Sequence, residues 1–212
     1  MICGTAYGVV LNHRSEREAL AQAFEAAPYK APPQAPVMYI KPRGCLAGDG
    51  AVVRLDADLH EVEAAPTLGL LFGRDVYRSS PHEALGCVEA ACLALDLSEP
   101  HASYYRPVVR QRCRDGFLPL GRPAAFRPPL LEQPIVARVG GHEALSWSPK
   151  DLVRDAATLV ADISEFMTLR AGDLLLIGLP PGAPRLQRGE QISVSMEGLP
   201  SLRVSLASEV AA

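Results

Sequence analysis

Apolar positions along this chain come in short blocks of four to six, broken by turn residues, and only twice in runs with helical spacing. The short blocks predict strands over Ala6 to Leu11, Met38 to Lys41, Leu68 to Phe72, Ile135 to Val139, Leu174 to Ile177, Gln191 to Met196 and Leu202 to Leu206. Gly172-Asp173 and Arg188-Gly189-Glu190 supply turn chemistry just ahead of two of them. A helix is predicted from Ser15 to Ala27, with Ser15 as N-cap, Glu18 three residues on, and Pro28 as the stop. A second is predicted from Ser148 to Met167, capped by Ser148 with Pro149 at the first helical position. Pro81 to Leu95 reads as a short helix leading to Asp96. With 19 prolines and 17 glycines as punctuation, the pattern is α+β, with an antiparallel or mixed sheet curled around small hydrophobic residues.

A chain of 212 residues fits one sizeable core, read here as a single domain over 1–212. Its 48% hydrophobic and 21% charged residues match an ordinary globular protein. A net charge of −3 with scattered arginines leaves no footprint for nucleic acid. No window approaches the roughly 18 apolar residues of a membrane span, and the start lacks a basic leader, so a signal peptide is not expected. The 5 cysteines are odd in number and contain no C-x-x-C pair. They read as buried thiols of a cytoplasmic protein.

Several residues are candidates for chemistry. Asp96 lies between Leu95 and Leu97, an acid in apolar company, and Lys41 sits on a strand among apolar neighbours. Both are candidate catalytic residues: Lys41 needs a carboxylate partner, which Asp96 or a dicarboxylate substrate would supply, and for Asp96 internal pairing with Lys41 or Arg112 is the favoured reading, against a retained weak ion. Arg106 and Arg112 are candidate clamps for substrate carboxylates, and His13 is a candidate general base. Trp147 reads as a packing residue. Pro128-Pro129-Leu130-Leu131 has no obvious local core and is a candidate contact element, as are the apolar C-terminal strands.

Five segments, in order, resemble the fumarylacetoacetate hydrolase family. They are Gly8-Val-Val-Leu-Asn12, Tyr39-Ile-Lys41-Pro-Arg43, the Leu68 strand with Asp96, Arg112-Cys-Arg-Asp115-Gly-Phe117-Leu-Pro119-Leu-Gly121, and Met167 to Pro180. The resemblance implies a curled mixed β-sheet, a barrel-like roll with few helices. It also implies a divalent-metal site made by two glutamates in E-x-E spacing and an aspartate about thirty residues on. Aligning the family's strand-ending Gly-Lys with Gly73-Arg74 puts the glutamate positions at Ala65 and Thr67, with Asp96 as the aspartate. A rival register uses Glu61 and Glu63 with Asp96, but it needs an insertion and drops Pro66 into the strand. In the preferred register this chain has no metal ligand set of its own. Further departures are Glu16 where the family has histidine, Gly178-Leu179-Pro180 for G-T-P, and Arg112 for lysine.

Within the family the resemblance is nearest to the N-terminal half, or separate first subunit, of the two-part isomerase/decarboxylases of 4-hydroxyphenylacetate (homoprotocatechuate) catabolism. Those are expected to act on 5-carboxymethyl-2-oxo-hex-3-ene-1,7-dioate and 2-hydroxyhepta-2,4-diene-1,7-dioate, with the metal as electron sink. The resemblance thus implies a chain that binds no cofactor tightly, with Mg2+ or Mn2+ in an active partner half. Its expected partners are a second copy or a homologous active subunit, and a small dicarboxylate or 2-oxo acid. The alternatives are an autonomous Mg-dependent enzyme of the family and a dicarboxylate-binding protein without turnover.

Overall fold

The computed structural model describes residues 3–101 and 108–208. Its strands in chain order are β1 Ala6–Val10, β2 Val37–Lys41, β3 Leu46–Ala47, β4 Ala51–Leu55, β5 Glu61–Phe72, β6 Val88–Ser98, β7 Leu118–Pro119, β8 Ala124–Ala125, β9 Ile135–Val139, β10 His142–Trp147, β11 Leu174–Leu176, β12 Arg185–Gln187, β13 Gln191–Met196 and β14 Leu199–Ser208. The first sheet runs β2-β1-β11-β5-β6-β8 with β12 also on β5; the second runs β10-β9-β13-β14-β4. Both are mixed, because β1–β11 and β14–β4 are parallel and the other pairs antiparallel. These curled sheets and few helices match the expected α+β class, without a closed barrel.

Alternation along β5 and β6 decides what each face does. Val62, Ala64, Leu68, Leu70 and Phe72 of β5, with Ala91, Leu93, Leu95 and Leu97 of β6, enter one hydrophobic cluster. Ile135, Ala137, Ile192, Val194, Leu202, Val204 and Leu206 of the second sheet join the same cluster, so the sheets bury their inner faces against each other. Side chains of odd number on β5 and even number on β6 point the other way. That opposite face carries Glu61, Glu63, Ala65, Thr67, Asp96 and Ser98, with Ala65 directly across from Asp96 and Glu63 across from Ser98.

Several elements differ from the sequence expectation. The strand expected at Leu68 begins at Glu61, so Pro66 lies inside it in any register, and its presence does not argue against the rival pair. Ala64 N–H donates to Pro184 O and Leu68 O accepts from Ile177, so the backbone groups of even residues face the β11–β12 side. Pro66 falls between those two partners, where no ladder hydrogen bond is asked of its nitrogen. The helix expected to reach Leu95 covers only α3 Pro81–Ala84 and a 3-10 turn to Cys87, after which β6 starts.

The expected Ser15–Ala27 helix is two short ones, α1 Arg14–Ala19 and α2 Ala21–Glu25. Its N-cap is His13, since the Ser15 hydroxyl is spent on the His13 ring. At Ser148 the capping box forms with Asp151, but it opens only a 3-10 turn, Pro149–Asp151. Asn12 then holds the chain extended: its carbonyl accepts from Val153 and its side chain bonds both Arg154 backbone groups. Helix α5, Ala156–Ser164, restarts on a new cap, Asp155. The remaining helix is α4, Val109–Arg112. Leu130 is buried in the main cluster and Leu131 packs against it, so this pair has a local core and is not spare contact surface; the core-facing side chains of β13 and β14 are likewise buried. Cys3 is exposed, contrary to the expectation of five buried thiols.

Candidate active-site cleft and the Asp96 cluster

Lys41 is among the largest fully buried side chains of the described residues, and its surroundings explain how a charge is tolerated. Its Nζ lies 3.0 Å from Asp96 Oδ1, with neither side chain exposed. It also donates to the carbonyls of Leu97 at 2.8 Å, Arg112 at 2.7 Å and Phe117 at 3.0 Å. Burial pulls the ammonium below its ordinary range, and Asp96 opposes that pull. Arg112, at the end of α4, donates to the same Oδ1 at 3.0 Å. The Tyr39 hydroxyl donates to Oδ2, and the Arg112 guanidinium sits 4.9 Å over the Tyr39 ring. Gly8, across from Tyr39, makes room for that ring: a Cβ there would lie 2.1 Å from Tyr39 Cζ.

The internal pairing expected for Asp96 is therefore present, with both candidate cations rather than one. Arg112 faces a carboxylate of its own chain and the His101 ring, with Nη2 3.3 Å from Nε2, so its guanidinium is engaged within the chain. Arg106, the other candidate clamp, lies outside the described residues. His13 is buried, with its ring 5.8 Å from Trp147 in edge contact and Nδ1 2.9 Å from Ser15 Oγ. Burial lowers its pKa below 6.5, against the opposing charges of Asp151 and Glu18. Trp147 is the packing residue expected, and its Nε1 donates to Pro66 O at 2.9 Å.

A cleft of about 240 Å³ opens beside this cluster, lined by Glu16, Glu63, Ala65, Ser98, Arg112, Arg185 and the loop Leu179–Ala183. Of the residues singled out from sequence, Arg112, Ala65, Glu63, Glu16, Leu179 and Pro180 line it; His13, Lys41 and Asp96 do not. Glu63 and Glu61 accept from Arg185 at 3.3 and 3.1 Å. Tyr39, Ser98 and Arg185 were not anticipated. Tyr39 was readable as the residue two before Lys41, hence on its face of β2, whereas the three-residue β12 that carries Arg185 leaves no pattern.

Residues 5–207 match the fumarylacetoacetate (FAA) hydrolase C-terminal family profile. The chain belongs to the fumarylacetoacetate hydrolase family. It is 36% identical, over 97% of its length, to the 4-hydroxyphenylacetate degradation bifunctional isomerase/decarboxylase of Escherichia coli, of which it spans about half (48%). The fold is shared with a 5-carboxymethyl-2-hydroxymuconate delta-isomerase from Mycobacterium smegmatis (TM-score 0.85, 22% identity, 100% of this chain and 81% of that one). It is also shared with a fumarylpyruvate hydrolase from Pseudomonas aeruginosa in complex with Mn2+ and pyruvate (TM-score 0.81, 21% identity, 97% and 90%).

A divalent ion is implied by such a relative, and the donor set here can be tested against it. Magnesium or manganese wants several oxygen ligands with carboxylates supplying charge. Both Asp96 oxygens are already engaged, by two cations and a phenol. Ala65 brings no donor, and the Thr67 hydroxyl donates to Gly178 O at 2.6 Å. Glu61 and Glu63 share the face but are held by Arg185, and among the described residues no three His, Cys, Asp or Glu side chains converge. These residues do not fit a divalent ion at the Asp96 position.

Proposed function

We propose that this chain is one half of a two-part isomerase/decarboxylase of 4-hydroxyphenylacetate catabolism. The substrates would be 5-carboxymethyl-2-oxo-hex-3-ene-1,7-dioate and 2-hydroxyhepta-2,4-diene-1,7-dioate, and the metal-dependent step would occur in a homologous partner subunit. The observation that carries the reading is the Asp96 carboxylate, neutralised by Lys41 and Arg112 where a cation would otherwise be held. A third positive group there would meet two fixed ones before it met a ligand. The similarity to the E. coli enzyme supports the substrate class, and the span of about half its length supports a partner.

The test is calorimetric titration of the purified chain with Mg2+ or Mn2+, followed by decarboxylase assays with and without a homologous second half. The expected result is no tight site on this chain, with decarboxylation appearing only on mixing. One tight ion per chain, or decarboxylation by the isolated chain at a rate the partner does not change, would overturn it.

A further inference from the structure

We propose that Glu16 is the proton carrier for a metal-independent keto–enol isomerisation of a 2-oxo carboxylate bound in the cleft. The inference rests on the preceding reading only in taking the Asp96 position to be closed to metal; it adds an activity to this chain itself.

Three observations converge. Glu16 stands in the first turn of α1 and is only 9% exposed, yet it lines the cleft. A carboxylate so placed meets a small ligand at close range. Arg112, Arg185 and Ser98 also line the cleft. Both arginines are held by carboxylates of the chain, Arg112 by Asp96 and Arg185 by Glu61 and the cleft-lining Glu63. Positive charge oriented before the substrate arrives is what a developing enolate needs. Finally, the buried histidine two elements of chemistry would otherwise nominate, His13, is absent from the cleft lining and packs on Trp147.

The step balances without a cofactor. The Glu16 carboxylate takes a proton from the carbon next to the 2-oxo group; the C–H electron pair becomes the new C=C bond, and the carbonyl oxygen becomes an enolate facing the arginines. Protonated Glu16 then returns the proton, to the enolate oxygen for tautomerisation or to a conjugated carbon for migration of the double bond. One proton moves, and nothing is oxidised or reduced.

The experiment uses the full chain, stripped with EDTA, and oxaloacetate as probe. Deuterium uptake at its C3 carbon is followed by NMR, and loss of the enol by ultraviolet absorbance. The expected result is exchange above the buffer rate in EDTA, reduced about 100-fold or more in Glu16→Gln and partly retained in Glu16→Asp. Ala183→Phe, which fills the cleft from its loop without touching the carboxylate's chemistry, should abolish exchange too; it decides the matter should Glu16→Gln fail to fold by circular dichroism. The acid limb of the wild-type pH–rate profile should vanish in Glu16→Gln, which a merely structural role would not produce. Exchange no faster than buffer in EDTA, or undiminished exchange in folded Glu16→Gln or Ala183→Phe, would overturn the proposal. Decarboxylation by the isolated chain at a rate the partner does not change, with no metal bound and EDTA-resistant exchange, would sink the preceding reading and leave this one standing; no metal and no exchange would do the reverse.

Discussion

Replacing Asp96 with asparagine tests whether the cluster is a closed electrostatic unit. The shape is kept, but Lys41, with no exposed side-chain surface, and Arg112, with 6%, lose their shared counter-charge. The new amide also turns one donor toward a group of donors. Removing one partner from a buried ion pair costs about 3–5 kcal/mol, out of a total stability of about 5–15 kcal/mol. With a urea m-value toward the upper end of about 1–3 kcal/mol/M, as a chain of 212 residues warrants, the midpoint should fall by about 1–2 M. A functional metal ligand would behave in the opposite way: carboxylates gathered for a cation repel one another when it is absent, so neutralising one leaves the metal-free protein as stable or more so. Urea unfolding in EDTA therefore separates the two by sign. A loss below about 1 kcal/mol, or a gain, would refute the closed-cluster argument.

Gly8→Ala should destabilise by about 1–3 kcal/mol through overpacking against the Tyr39 ring, and the loss should shrink in a Tyr39→Ala background; equal losses in both backgrounds would deny the contact. Trp147→Phe removes the donor to the Pro66 carbonyl, leaving a buried acceptor at about 1–3 kcal/mol, read as a melting temperature lower by several degrees. His13 has a folded pKa below 6.5 because burial disfavours its charged form, so the native state resists protonation. Its contribution is complete above pH 6.5 and is lost as pH falls through that value toward the folded pKa, with a slope of at most about 1.4 kcal/mol per pH unit. The stability of wild type relative to His13→Phe should accordingly decline on acidification below 6.5; parallel stability curves would contradict it.

How far the fold could be read depended on whether local preference and tertiary pairing agree. Ile135–Val139 and Gln191–Met196 were legible to the residue, since β-branched and alternating positions coincide there with burial on one face. Val88–Ser98 was not, because alanine and leucine are good helix formers; its strand state is imposed by pairing along nearly the whole of β5. The break between Asp151 and Ala156 was equally hidden, since it is made by Asn12, more than a hundred residues away in sequence. At the site, the Asp96 pairing was legible from an acid and a lysine each placed among apolar residues. The cleft was not: Glu16, Ser98 and Arg185 come from a helix, a strand and a short edge segment that only the folded chain brings to one place.

The cluster's presence needs an account beyond stability. A buried ion pair is often no more stabilising than apolar side chains of the same volume, and the face of β5 and β6 around it already contains Ala65, Ala94 and Cys92, with which an apolar replacement would merge. What an apolar replacement would lack is direction. Lys41 bonds carbonyls from the end of β6, the end of α4 and Phe117, which fixes the point at which α4 delivers Arg112. Asp96, in turn, fixes the guanidinium by Nη1, and the Tyr39 ring lies under its plane. Three residues that contribute no lining to the cleft thus determine where its positive charge stands. The same three occupy the ground a divalent ion would need, and the arginine they position lines the cleft.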